Sequence, residues 1–293
     1  QRSNTKADRD LQKKSTKESP PKSKVETQPL TAGDLAKPEK SLYRMTIDFR
    51  AINQITQNEK TSQLPSIQTI ENNFYNAHVS TIDLSNCYPS IEIEESSRNF
   101  FNFYVENETW RHRRLPQGWA ASLAIAQRAV LWTFRDQTLL DFMAHRKLTT
   151  EQFPFKSYRE FTTGFVDDLC IYSSKDFPLS EEMHFLVIEA VFFALEKAGW
   201  VVKLEVSTFM NPHFVFLGLK WNLNEKSSLV QNDRVSAIIN HRFPRSLPEL
   251  ASRLATLNYY QKILPLMKRL AIPLYKVIKD GKFVWGKTEA EAY

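Results

Sequence analysis

Apolar and polar residues alternate along residues 42–49 with the period of a half-buried strand, and Arg44 occupies one of the polar positions. Two further apolar runs flank the adjacent acids Asp167 and Asp168. A third acid, Asp83, has a similar apolar setting. These patterns predict a first strand, a hairpin that carries two carboxylates at its tip, and a separate strand that carries one.

Four segments have helical periodicity. They are residues 64–74, 120–143, 180–199 and 246–264. The second segment contains neither proline nor glycine, so it is predicted to be one long buried helix. In the third segment, Ser180 is the expected N-cap and Gly199 the expected stop. With strand-like segments at 200–202 and 214–218, the element order predicts an α+β fold, in which helices back an antiparallel sheet and a helical module follows.

The composition limits the class of protein. Of the 293 residues, 42% are apolar and 12% are aromatic, which is ample for a sizeable core. Residues 1–40 are too polar to bury enough apolar area to offset their ordering entropy, so we expect a disordered basic tail there. The seven glycines form no glycine-rich phosphate loop. Cys87 and Cys170 are the only cysteines, which argues against a structural disulfide or a zinc site.

The sequence predicts neither a signal peptide nor a membrane span. The longest nearly apolar stretch, residues 185–195, is interrupted by Glu189 and is too short to cross a bilayer. We therefore expect a soluble intracellular protein without a membrane partner.

Charge is unevenly distributed along the chain. Residues 41–230 carry 18 Lys and Arg against 22 Asp and Glu, whereas residues 231–293 carry 11 against five. An acidic middle followed by a basic end suits an enzyme that binds cations centrally and a polyanion with its C-terminal part. A solvated charged surface would have the same composition.

The three acids indicate a site for divalent cations. Carboxylates supply the hard oxygen ligands that Mg²⁺ prefers, and nucleotide-transferring enzymes use two ions roughly 3.5–4 Å apart. By themselves, Asp167 and Asp168 would be an ordinary polar hairpin turn, because Asp is a common turn residue. The choice between the two interpretations depends on the other motifs of the chain.

Five segments have the order and spacing of motifs in a known polymerase family. They are residues 43–53, 81–84, 115–119, 165–168 and 216–218. Single tetrapeptides occur by chance, but five in this order rarely do. Residues 40–293 thus resemble the reverse transcriptases of retroviruses and of gypsy-type long-terminal-repeat retrotransposons.

The resemblance implies a right-hand polymerase fold with an antiparallel palm sheet backed by helices. The implied parts are a disordered tail at 1–40, fingers at 41–58 and 92–121, a palm at 59–91 and 122–225, and a thumb with the start of the connection at 226–293. It also implies an RNA-directed DNA polymerase of a retroelement polyprotein. Its partners would be an RNA or DNA template with primer, dNTPs, and RNase H and other domains downstream. Its location would be cytoplasmic, within a retroelement particle, or alternatively nuclear.

Catalytic roles follow from the same resemblance. Two Mg²⁺ ions, for which Mn²⁺ can substitute, would be held by catalytic carboxylates and by one backbone oxygen. These ligands would be Asp83, Asp167, Asp168 and the carbonyl of Leu84. A primer grip, which as a sequence pattern alone is no more than a buried strand, would consist of Phe216, Leu217 and Gly218.

Four residues are implied to bind the nucleotide. Arg44 would contact the triphosphate, or else be a surface residue paired with Asp48. Tyr88 would exclude a ribose 2′-hydroxyl, or else be an ordinary core tyrosine. Gln117 would touch the nucleotide and Gly118 would let the backbone approach the nascent base pair, although this segment alone would be an ordinary turn.

The chain departs from the family at the lysine that would protonate pyrophosphate. Relatives often carry this lysine six or seven residues after the glycine that corresponds to Gly199. Here those positions hold Glu205 and Val206, while Lys203 comes earlier. The identity of the proton donor is therefore open.

Two other functions remain as alternatives. A catalytically inactive, domesticated relic that still binds nucleic acid would be favoured if a carboxylate were lost, but all three are present. An RNA-dependent RNA polymerase has a related palm, but Tyr88 argues against it.

Overall fold

The computed structural model describes residues 47–57, 65–240, 242–264 and 266–293. The α-helices are α1 (Arg50–Ile55), α2 (Ile67–Phe74), α3 (Ser122–Thr133), α4 (Asp136–Arg146), α5 (Ser180–Ala198), α6 (Asn232–Ile239), α7 (Leu247–Tyr259), α8 (Met267–Leu270), α9 (Ile272–Asp280) and α10 (Lys287–Ala292). The strands are β1 (Ala77–Asp83), β2 (Asn102–Val105), β3 (Glu108–Arg111), β4 (Thr162–Phe165), β5 (Asp168–Ser174), β6 (His213–Phe216), β7 (Leu219–Asn222) and β8 (Ser227–Val230). This mixture of helices and antiparallel strands confirms the predicted α+β class. Among the described residues, no helix combines the length and the apolar character needed to cross a bilayer.

The main sheet has three antiparallel strands, with β5 between β1 and β4. Side chains alternate between its faces, so Leu169 and Ile171 point to one side and Cys170 and Tyr172 to the other. Helix α5 packs on the first side, and α2 with the β6–β7–β8 sheet packs on the second. Because apolar cores cover both faces, acidic side chains on these strands are tolerated only at the strand ends.

The helix predicted from Ser180 to Gly199 is confirmed. Helix α5 ends at Gly199, whose φ of 77° is the left-handed conformation that glycine adopts without strain. The predicted N-cap is wrong by one residue, because Leu179 occupies that position. The hydroxyl of Ser180 is instead hydrogen-bonded to Nε2 of His78 at 3.0 Å.

The single long helix predicted over residues 120–143 is wrong, because α3 and α4 are separated at Phe134 and Arg135. Arg135 is extended, with φ −79° and ψ 154°, and it is the N-cap of α4. The ring of Phe134 lies 5.3 Å from that of Tyr158. A tertiary contact thus accompanies a break that no proline or glycine marks in the sequence.

Of the first predicted strand, the structure describes residues 47–49. These residues are irregular, not a strand, and they lead directly into α1. The carboxylate of Asp48 accepts hydrogen bonds from the backbone N–H of Arg50 at 2.9 Å and from its guanidinium at 2.6 Å. This local turn starts a helix where the alternating pattern predicted a strand. Arg44 and the tail at 1–40 lie outside the described residues.

Two later strand predictions had different outcomes. At 200–202 the predicted strand is reduced to one isolated antiparallel bridge, between Val202 and Leu84, beside which the Val201 carbonyl accepts a hydrogen bond from the N–H of Ser85 at 2.7 Å. At 214–218 the prediction is confirmed in part, because β6 ends at Phe216 and the next two residues form a turn.

A buried histidine connects α5 to the main sheet. His184 is fully buried, and its Nε2 and Nδ1 are hydrogen-bonded to the hydroxyls of Ser80 and Ser173, each at 2.8 Å. The Ser80 hydroxyl also accepts a bond from the backbone N–H of Met210 at 3.1 Å. Burial, followed by the charge of nearby His78, lowers the pKa of His184 to about 4. The folded protein therefore holds His184 as a neutral ring.

We expect His184 to make the free energy of unfolding fall as the pH decreases from 6.5 to about 4. In this window the unfolded chain binds a proton at His184 and the folded protein does not, so acid favours unfolding by up to about 3 kcal/mol. Urea denaturation at about pH 7 and about pH 4.5 measures the effect. The variant His184→Gln, which keeps a hydrogen-bonding side chain, should lose less stability than wild type over this range. Equal losses would contradict the assignment.

Candidate active site

Strands β1 and β5 bring two of the three acids together. In their antiparallel register, Asp83 at the end of β1 lies opposite Asp168 at the start of β5. Residues directly opposite each other share a face and have Cβ atoms about 4.5–5.5 Å apart. Asp167 is next to Asp168 in the turn, and its carbonyl accepts a hydrogen bond from the N–H of Leu84 at 3.0 Å. The three predicted acids therefore lie at one end of the sheet.

The side chains of Asp83 and Asp168 lie on the face of the main sheet that β6 and β7 cover. Val79 and Tyr172 lie opposite each other, four residues away from Asp83 on β1 and from Asp168 on β5. Because side chains alternate between the faces, this pair shares a face with the two acids. Val79 and Tyr172 both belong to the core that includes Phe216 of β6. The acids thus face the side of the sheet where the β6–β7 hairpin packs, not the side covered by α5.

The turn that carries Asp167 has an unusual backbone. Val166 and Asp167 connect the paired residues Phe165 and Asp168, and Val166 has a φ of 56°. A β-branched residue rarely adopts this left-handed conformation, and Val166 is also buried. Its N–H donates a hydrogen bond of 2.6 Å to Oε1 of Gln127, which is buried as well. The bond satisfies the backbone of the turn and fixes its position.

Two residues that the sequence reasoning missed support this turn. Gln127 lies on the buried side of α3, and an amide among apolar positions is the signal that could have identified it, because buried polar groups are usually hydrogen-bonded. Gly164 lies in β4 against the neighbouring strand, where a Cβ atom would come within 2.6 Å of the Asp168 carbonyl oxygen. Only glycine fits there, and no sequence pattern indicates this close approach.

The site concentrates negative charge. The pKa of Asp168 is raised to about 6, mainly by desolvation among crowded protein atoms and further by Asp167 and Asp83. Solvent still reaches its side chain. Lys203 and Arg234 oppose this rise. The Nζ of Lys203 forms an ion pair with the carboxylate of Asp83, which lies opposite Asp168.

The residues present fit divalent cations by their chemistry. Asp83, Asp167 and Asp168 offer hard oxygen donors, and desolvation followed by the charges of the two neighbouring acids raises the pKa of Asp168. Within the part of the chain that the structure describes, no three His, Cys, Asp or Glu side chains already form a metal-binding group. Oδ1 of Asp83 is paired with Nζ of Lys203, so a cation at this oxygen would have to replace the ammonium group.

Comparison with known proteins identifies the family. Residues 35–221 match the sequence model of the reverse transcriptase (RNA-dependent DNA polymerase) family. The chain belongs to this reverse transcriptase family. The Pro-Pol polyprotein of Simian foamy virus type 3 (strain LK3) is 27% identical over 249 residues, which cover 84% of this chain and 19% of the polyprotein. The retrovirus-related Pol polyprotein from transposon opus of Drosophila melanogaster is 26% identical over 233 residues, covering 79% and 20%.

The chain thus spans about a fifth of the length of these relatives. A solved structure of the foamy viral protease-reverse transcriptase dRH in complex with ds DNA shares the fold, with a TM-score of 0.55 and 24% identity. The match covers 85% of this chain and 39% of that one. The right-hand polymerase fold expected from the sequence is therefore confirmed. The boundaries given for fingers, palm and thumb stay predictions.

Tyr88 follows the strand that carries Asp83. It begins the short 3₁₀ helix Tyr88–Ser90, which follows the end of β1, and it is half-buried. Burial, followed by the charge of Asp167, raises its pKa. Tyr88 is therefore near the turn that carries Asp167, and its contact with a nucleotide sugar stays a prediction.

Gly118 and Gln117 lie on a loop that is tied to α1. The side chain of Asn53 donates to the Gly118 carbonyl at 3.0 Å and accepts from the N–H of Ala120 at 2.8 Å. Gly118 has a φ of 95°, and a Cβ atom there would come within 3.3 Å of the Phe49 ring. Gln117 is exposed on this loop. Glycine is thus required by the backbone, while the nucleotide contacts of both residues stay predictions.

The predicted primer grip forms the turn between β6 and β7. Leu217 and Gly218 have φ values of 50° and 78°, the pattern of a type I′ hairpin turn, and Phe216 before them is buried. The Leu217 carbonyl accepts a bond from the hydroxyl of Tyr259 at 3.5 Å. Burial is the main cause that raises the pKa of Tyr259 to about 12, and the charge of Asp168 contributes. The turn therefore lies near the acids, and its grip on a primer stays a prediction.

We expect Gln127→Leu to lower the free energy of unfolding by about 1–3 kcal/mol, because it leaves the buried N–H of Val166 without an acceptor. Urea denaturation measures the change. The matched control is Gln137→Leu, which removes an exposed amide of α4 that donates a hydrogen bond to Oδ1 of Asp141 at 2.9 Å. That control should change stability by less than about 0.5 kcal/mol. A Gln127→Leu protein as stable as the control would contradict this role.

Proposed function

We propose that this chain is the RNA-directed DNA polymerase part of a retroelement polyprotein and that it adds deoxynucleotides to a primer 3′-hydroxyl by two-metal-ion nucleotidyl transfer. The observation that carries the proposal is the register that sets Asp83 opposite Asp168, with Asp167 in the adjoining turn. Membership of the reverse transcriptase family supports the class of reaction. The Pol polyproteins among its relatives support the retroelement context.

The proposed ligands of two Mg²⁺ ions are Asp83, Asp167, Asp168 and the carbonyl of Leu84, with Mn²⁺ as a substitute for Mg²⁺. Bound ions would lower the pKa of the primer hydroxyl and neutralise charge on the transferred phosphate and on pyrophosphate. The protein contributes positioning. The β1–β5 ladder fixes Asp83 and Asp168, and the bond from Val166 to Gln127 fixes the turn. Ligands held this rigidly need little rearrangement during the reaction.

The proposed selection against ribonucleotides depends on Tyr88. An aromatic ring against the 2′ position of the sugar leaves no room for a hydroxyl group, so the competing substrate is rejected by a steric clash. The place of Tyr88 after β1, within reach of the charge of Asp167, supports this role. Arg44 would contact the triphosphate, and Gln117 with Gly118 would contact the nascent base pair.

Template and primer would lie along the turn at 216–218 and the basic C-terminal part. Residues 231–293 carry 11 Lys and Arg against five Asp and Glu, which suits contacts to phosphates. The foamy viral protein of the same fold was solved in complex with ds DNA, which supports a duplex ligand. RNase H and other polyprotein domains are further proposed partners. The proposed location is a cytoplasmic retroelement particle, or alternatively the nucleus.

Primer extension on an RNA template tests the proposal. The wild-type chain should extend a DNA primer with dNTPs when Mg²⁺ is present, and it should use dNTPs in preference to rNTPs. Asp167→Asn should lower the extension rate by on the order of 10³-fold, because a neutral amide replaces a charged metal ligand. Removal of Mg²⁺ with a chelator should abolish extension by the wild type.

The matched control is Asp176→Asn. Asp176 follows the other end of β5 and accepts a hydrogen bond from the Asn76 amide at 2.8 Å, so its loss should leave the extension rate unchanged. Extension that survives Asp167→Asn would contradict the metal assignment. A wild-type chain that binds template and primer but does not extend would favour the inactive nucleic-acid-binding relic.

A further inference from the structure

The backbone of Lys203 is held beside Asp83. Leu84 and Val202 form an antiparallel bridge, and next to it the N–H of Lys203 donates to the Asp83 carbonyl at 2.9 Å. The hydroxyl of Ser207 donates a further hydrogen bond to the Lys203 carbonyl at 2.8 Å. Lys203 therefore has a fixed position at the end of β1.

The side chain of Lys203 uses this position to neutralise Asp83. Its Nζ forms an ion pair with Oδ1 of Asp83, and the two side chains are 38% and 29% exposed. Lys203 is also the only lysine among residues 199–208. No neighbouring lysine of this segment can therefore take over the contact.

We propose that Lys203 is a built-in counter-cation that competes with a divalent metal ion for Asp83. This inference rests on the proposed function, in which Asp83 is a metal ligand. An ammonium group in contact with Oδ1 excludes a metal ion from that oxygen, and two cations at one carboxylate repel each other. A metal ion at Oδ1 must therefore displace the ammonium group, and a metal ion at the other oxygen of Asp83 is still repelled by it. Lys203 lowers the affinity of the site for divalent ions.

This competition gives the site two states. Without metal, Lys203 compensates part of the repulsion between Asp83 and the two acids of the turn. With metal, the ammonium group is released from Asp83. The phosphates of a bound nucleotide add negative ligands and favour the second state, so metal and nucleotide bind cooperatively. The site then takes up its ions together with its substrate and only weakly before it.

Direct titration with Mn²⁺ tests the competition without any catalytic step. Free Mn²⁺ is measured by its electron paramagnetic resonance signal, with no nucleotide or nucleic acid present. Lys203→Met keeps the aliphatic chain and removes the charge. We expect its Kd for Mn²⁺ to be about fivefold lower than that of the wild type, the upper range for a partly exposed ion pair. If Lys203→Met does not fold, Lys203→Gln takes its place with the same expectation.

The matched control is Lys197→Met. Lys197 of α5 forms an ion pair of the same kind with Asp141 of α4 and is 47% exposed. Lys197→Met removes one positive charge, as Lys203→Met does, so an effect of net charge alone on Mn²⁺ binding would appear in both variants. We expect its Kd to equal that of the wild type, and an equal decrease in both variants would overturn the inference.

Asp83→Asn separates the two ways in which the inference can fail. If Asp83→Asn weakens Mn²⁺ binding while the Lys203 variant binds no more tightly than wild type, the competition is refuted and the proposed metal site stands. If Asp83→Asn leaves Mn²⁺ binding unchanged, Asp83 is not a ligand. In that case both the inference and the metal assignment of the proposed function are refuted.

Discussion

The pairing of β1 with β5 in a single register positions the acids of the site. Because side chains alternate along a strand, a shift by one residue would move Asp83 from the face of the β6–β7 hairpin to the face of α5. On that face its neighbours would be apolar side chains of the core against α5, such as Leu169 of β5. A carboxylate buried there without a cation would cost several kcal/mol. The two apolar cores therefore specify the register, and the register gathers the carboxylates.

Local sequence patterns were sufficient for the elements that carry the acids. Apolar runs on both sides of Asp167 and Asp168 predicted the hairpin, and β4 and β5 form it. Gly199 predicted the end of α5, because a glycine after a helical run adopts the left-handed conformation without strain. The ordered motifs then predicted that Asp83 would join the other acids. The first two successes share one cause, which is that each signal lies within a few residues of the feature it predicts, whereas the place of Asp83 was predicted from the family resemblance.

Contacts between distant segments were not predictable in this way. The bonds from Gln127 to Val166 and from Lys203 to Asp83 join residues 39 and 120 positions apart, and no local pattern reports them. The break at Phe134 likewise accompanies a tertiary contact, which helical periodicity does not contain. Yet these contacts shape the site, since one holds a strained turn and the other neutralises a carboxylate that we propose as a metal ligand. The fold was thus more accessible to sequence reasoning than the electrostatics of the site.

The central claim is that the carboxylates at the end of β1 and in the β4–β5 turn bind divalent ions. Anomalous scattering from a crystal of the chain soaked in Mn²⁺ tests it most directly, because it locates the metal independently of the protein density. We expect a manganese peak in contact with carboxylate oxygens of Asp83 and Asp167, with Nζ of Lys203 moved away from Asp83. Manganese bound elsewhere, with Asp83 still paired to Lys203 at saturating Mn²⁺, would contradict the account.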